Sequence, residues 1–192
     1  MSRNLKFISI CVGAAIVAII VVVAAISLNA SPHFAFPSYQ QVNSASGSSF
    51  TGQKSGNANS NGSAPGTGVV KMETMNYTSG RTFLELGIIL YKSSSDAVSG
   101  YTSVNTSIAR IVVSLPNTTA AHSQFRGYAY AYVITPHNVT IFGVTVHFGF
   151  SFAVCRLGTY VFVIYTNFSG MSAGRMTGLI DLQINTMTGT AL

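Results

Sequence analysis

Acidic side chains are nearly missing from this chain: Glu73, Glu85, Asp96 and Asp181 are the only four in 192 residues. Sugar hydrolysis needs two carboxylates flanking one bond. Here Glu85 falls in a strand pattern, Asp96 at a helix start and Asp181 on another helix, and the helix dipole accounts for Asp96. Cysteine is equally scarce. Beyond Cys11 there is only Cys155, so the outer part of the chain has no internal disulfide. Cys155 lies in an apolar strand pattern, which predicts a buried, inert thiol. The formal charge is +6, yet the eight basic residues from Lys54 to Arg175 stand singly. Without a basic cluster or helix face, nucleic-acid binding is excluded.

The motifs of chemistry are missing as well. His33, His122, His137 and His147 form no HxxxH or HExxH pair, so no metal site is expected. Residues 156–170 hold no histidine between Cys155 and Met171, which removes a blue-copper ligand loop. There is no Gly-x-Ser-x-Gly elbow and no phosphate-cradling glycine motif. No catalytic residue and no cofactor is predicted.

One absence is informative in its own right. No charged residue stands between Phe7 and Leu28. As a helix this run would be about 33 Å long, enough for a hydrocarbon core of about 30 Å. Helix is required there, because lipid offers the backbone no hydrogen-bond partners. Arg3 and Lys6 precede the run, and no charge follows until Lys54. Positive residues stay cytoplasmic. The expected organisation is a cytoplasmic N-terminus (1–6), a single-pass transmembrane anchor (7–28) and an extracytoplasmic remainder in the cell membrane. Ala25-Ile26-Ser27 also fits a small-x-small cleavage site, so a removed signal is the alternative.

Residues 43–68 are Gly/Ser/Asn-rich with almost nothing to bury, and 29–69 read as a flexible stalk. A coil of that length would span about 35 Å. Phe34, Phe36 and Tyr39 are expected at the membrane interface, where aromatic rings are favoured. Glycosylation triplets begin at Asn29, Asn61, Asn76, Asn105, Asn117, Asn138 and Asn167. Most fall in the stalk or in expected turns, where a sugar can be accommodated.

The remaining residues, 70–192, form one domain. Alternation over 83–91 predicts a strand with Leu84, Leu86, Ile88 and Leu90 on one face. An N-cap signal at Ser93 and the spacing of Ala97, Tyr101, Val104 and Ile108 predict a helix over 95–108. A short strand is expected at 111–115. Residues 126–134 place Tyr128, Tyr130 and Tyr132 on one side and small residues on the other, against which a helix can lie. The tyrosine strip is the candidate interaction surface, with core packing as the competing account. Strands are expected over 139–142, 147–155 and 160–165, the last apolar on both faces and therefore central. Met176, Leu179, Ile180, Gln183, Ile184 and Met187 mark a helix over 172–187. The fold class is α+β: a twisted antiparallel sheet with about two helices packed on one face.

The early anchor, the Ser/Gly/Asn stalk, the glycosylation triplets and the poverty of acids together resemble single-anchor surface proteins of archaea, thermoacidophiles in particular. The resemblance implies a cell-surface setting and carries no activity. A surface of Ser, Thr, Asn and Tyr stays hydrated without titrating, so an acidic medium is expected. The function expected is a membrane-tethered, non-catalytic binding or interaction role, with another envelope protein or a glycan as partner. The alternatives are a pilin-like or cell-envelope structural subunit, and an enzyme whose site only the fold reveals.

Overall fold

The computed structural model describes residues 32–56, 67–114, 117–136, 138–141, 144–147 and 149–190. The expected N-terminus and anchor (1–28) lie outside these residues. Among the described residues no helix is long and apolar enough to cross a membrane.

Among the described residues, nine strands and three helices make an α+β domain. In chain order they are α1 (Tyr39–Ser46), β1 (Gly52–Gly56), β2 (Val69–Ser79), β3 (Thr82–Tyr91), α2 (Ser94–Ser114), β4 (Thr119–Phe125), β5 (Tyr128–Ile134), β6 (Asn138–Ile141), β7 (Val144–His147), β8 (Ser151–Leu157), β9 (Tyr160–Thr166) and α3 (Ala173–Thr188). Seven strands form one antiparallel sheet in the order β1-β2-β3-β9-β8-β5-β4, and β6 pairs with β7 in a separate hairpin. The central place expected for the 160–165 strand is the place of β9.

Two-sided apolar strands need cover on both sides. One face of the sheet carries Leu84, Leu86, Ile88, Tyr130, Tyr132, Cys155, Phe162 and Ile164, buried beneath α3. The other carries Ile89, Ala131, Val133, Val154 and Val161 beneath Ala97, Val104 and Ile108 of α2. The expectation of both helices on one face is therefore corrected: α3 and α2 lie on opposite faces. The small side of β5 does receive a helix, as its alanines suggested. Helix α2 runs through 111–114, where a strand was expected. The fit of Ile108 and Ile111 to the sheet overrides the modest helix propensity of a β-branched run.

The stalk is also corrected over 33–56. Ser38 caps α1 in a capping box with Gln41. Residues Gly52–Gly56 pair with β2 along its edge. Phe34, Phe36 and Tyr39 are partly buried against the α3-side core. Three hydrogen bonds hold the segment down. The His33 N–H donates to the Met187 carbonyl at 3.1 Å. Gln183 Nε2 donates to the Ala35 carbonyl at 3.0 Å. The Tyr77 hydroxyl donates to the Pro37 carbonyl at 2.7 Å.

Candidate functional site

The tyrosine strip is closed. Tyr130 and Tyr132 are 9% and 5% exposed, in the core beneath α3. Tyr128 is half-buried against the same core. Burial raises the Tyr132 pKa, and Tyr130 beside it adds to the rise. Tyr130 and Tyr132 are turned into the core, and Tyr128 keeps part of its surface.

The opening lies on the opposite face. Helix α2 presents Ala97, Gly100, Val104, Ile108 and Ile111 at helical spacing toward the sheet. Where the stripe is small, at Ala97 and Gly100, both residues are buried. Toward its C-terminal end the helix and the sheet leave a cleft of about 350 Å³. Val104, Ser107, Ile108 and Ile111 form the helix wall. Met72, Ile89, Val163 and Phe152, from four neighbouring strands, form the floor, and Phe150 lines one end.

Two local features shape the cleft. Gly87 lies on the α2 side of β3, two residues from Ile89 and beside Met72 and Val163. A Cβ there would lie 3.0 Å from Val163 Cγ2 and 3.6 Å from Met72 Cε. The missing side chain therefore keeps the floor low. Thr135 fixes Phe150: its hydroxyl accepts from the Phe150 N–H and donates to the Phe150 carbonyl, each at 2.9 Å. Phe150 continues into an aromatic group, 6.1 Å from Tyr165, which is itself 5.4 Å from Phe83. Tyr165 is 40% exposed.

Among the described residues the lining holds a single hydroxyl, Ser107, and no ionisable side chain. Such a surface can desolvate an apolar group and offer it one hydrogen bond. Among the described residues no group of three His, Cys, Asp or Glu gathers to hold a metal. Cys155 is free and buried beneath α3, and burial pushes its thiol pKa well above the ordinary range. Asp181, on α3, also has a raised pKa through burial, with Arg126 opposing the rise.

The glycosylation triplets scatter. Asn29 and Asn61 lie outside the described residues. Asn76 stands within β2 between Lys54 and Glu85, and Asn105 lies within α2. Asn105 thus stands in the helix expected over 95–108, and Asn76 stands in a strand. Asn117 is exposed at a turn with φ of 60°, and Asn138 is exposed at the start of β6. Asn167 is engaged by the fold: its Oδ1 accepts from the Phe83 N–H, and its Nδ2 donates to the Arg81 carbonyl, each at 2.8 Å.

Periodicity could not announce the cleft. Val104 and Ile108 read as core from spacing alone, and a core position looks the same whether or not its far side is filled. Glycine at position 87, inside an otherwise apolar strand, was the one available signal of a missing side chain.

No protein-family model matches the chain, and no curated protein matches it. Its fold is similar to a solved structure, the extracellular domain of PknH from Mycobacterium tuberculosis. The TM-score is 0.50 at 11% identity, over 81% of this chain and 97% of that one. At that identity the likeness is one of fold.

Proposed function

We propose that the chain is a membrane-tethered extracytoplasmic domain that binds, without catalysis, the apolar part of a ligand in the cleft between α2 and the sheet. The observation that carries this reading is the cleft itself: about 350 Å³, open, and lined by apolar side chains apart from Ser107. That volume lies at the lower end of small-molecule sites. It suits a short hydrocarbon chain or a single ring system with one polar atom at the Ser107 hydroxyl. The aromatic group at Phe150, Tyr165 and Phe83 extends the apolar path toward solvent.

Two further observations support the setting. The uncharged run Phe7–Leu28 follows Arg3 and Lys6, which favours an inside N-terminus. The similar fold is that of an extracellular domain. Glycosylation in this setting would fall first on Asn117 and Asn138, which are exposed.

The test is binding of a dansyl-labelled medium-chain fatty acid to residues 32–192, which contain every described element. Saturable binding is expected, with a blue shift of the dansyl emission. Gly87→Val raises the floor against Val163 and should abolish that binding while circular dichroism stays unchanged. Equal binding by Gly87→Val and the parent would remove the cleft as the site.

A further inference from the structure

We propose that the domain lies directly against the bilayer, with one end turned to the lipid headgroups and the Phe150 end of the cleft turned away. This rests on the reading of residues 7–28 as an anchor. The chain is fixed to the fold from His33 onward, by the backbone bond to Met187 and the bonds of Gln183 and Tyr77 to the next few carbonyls. Met187, Gln183 and Tyr77 are all 0% exposed, so these are interior attachments. From Leu28 to His33 there are five Cα steps. Fully extended, they reach about 18 Å at most. A tether that short leaves no stalk, and it selects which end of the domain faces lipid.

That end can be named. His33 is bonded at the last turn of α3. Beside it, Arg126 of the β4–β5 turn donates to the Thr190 hydroxyl at 2.9 Å. Phe34 meets Tyr160 at the start of β9, with ring centroids 5.6 Å apart. Lys71 lies over the Phe34 ring, and the Lys92 N–H bonds the Gly68 carbonyl. Val70, 52% exposed, and the exposed Lys71, Lys92 and Arg126 are therefore presented at the tethered end. Glu73 pairs with Lys71, and the half-buried Asp96 is bonded by the Ser93 hydroxyl. An exposed apolar residue ringed by a cationic excess suits a headgroup layer containing anionic lipid. The β2–β3 turn with Arg81 lies at the other end of β3, about 30 Å away along the strand. The β5–β8 crossing with Phe150 is at that far end too, because Ile134 pairs with Ser151 and Ser151 with Thr166.

The experiment uses the full chain, in a Cys11→Ser background, reconstituted in vesicles containing anionic lipid. A fluorophore is attached at Val70→Cys or at Arg81→Cys; Cys155 is buried and does not compete. Headgroup-spin-labelled lipid is the quencher. Quenching at position 70 is expected to exceed that at position 81 at least threefold. Inserting about twenty Gly/Ser residues between Leu28 and Pro32 should bring the ratio near one. Flotation with the vesicles reports the anchor separately. Flotation with equal quenching, or stronger quenching at 81, overturns the orientation while the anchor stands. Failure to float overturns the anchor, and the orientation with it.

Discussion

The two faces of the sheet are built from the same strands and finished differently. Beneath α3, twenty residues form one continuous buried cluster, which α1 and the 33–37 strap complete. Beneath α2 the buried cluster among the described residues has nine members, and the helix covers the sheet over part of its length. The first face therefore holds the domain together, and the second is left with an apolar opening. A larger residue at position 87 would press on Val163 and Met72 of the cleft floor. The uneven finish makes the two faces unequal contributors to stability.

The sharpest way to break this contrast is to truncate one aromatic residue on each face. Phe162 is 1% exposed beneath α3. Phe162→Ala should cost about 3–5 kcal/mol, the range for a large-to-small change that leaves a cavity. Phe152 is half-buried at the cleft floor. Water already reaches its surroundings, so Phe152→Ala should cost well under half as much. Urea unfolding of both variants measures the difference; equal losses would mean that the cleft face is as closed as the other.

The next effect in size concerns the strap. Tyr77→Phe removes one hydroxyl and leaves the Pro37 carbonyl without its partner in a buried place. A loss of about 1–2 kcal/mol is expected. Hydrogen exchange should show residues 33–37 opening before the sheet does. A loss confined to global unfolding, with 33–37 still protected, would mean that the strap does not depend on this bond.

The sequence foretold the α3-side face and β9 for a physical reason. Alternation and 3.6-residue spacing report whether a position is buried, and a fully buried face shows them cleanly. Leu84, Leu86 and Ile88 are such positions, as are Met176, Leu179 and Ile184. The elements outside that pattern went unread. Strand β1, Gly-Gln-Lys-Ser-Gly, has no apolar period and is held by backbone pairing to β2 and by the Tyr39 N–H, which donates to the Gln53 side chain. Helix α1 carried its signal in the Ser38…Gln41 capping box, which lay inside a stretch of stalk-like composition. The two-sided cover was implied by β9, apolar on both faces, since one layer of helices satisfies only one side. The cleft left no trace beyond Gly87, because partial cover removes neighbours without changing the residues that line it.

The smallest expected effect tests the poverty of acids. Asp181 has its pKa raised by burial, so the folded state holds its proton more tightly than the unfolded chain does. The sign follows from linkage: where the folded state binds more protons, stability falls as pH rises. The contribution of Asp181 is fully favourable below its ordinary value of 3.8, and it is lost as pH rises through the higher folded value. At neutral pH the charged carboxylate is a mild liability, offset by Arg126. After solvent screening at a partly exposed site, the effect should stay within about 1 kcal/mol. Asp181→Asn should raise stability slightly at pH 7 and flatten the profile between pH 7 and about pH 3. Thermal unfolding across that range measures it. The same profile bears on the surroundings the surface suits: a parent domain that keeps its melting temperature on acidification fits an acidic medium, whereas one that collapses below about pH 4, where ordinary carboxylates protonate, does not.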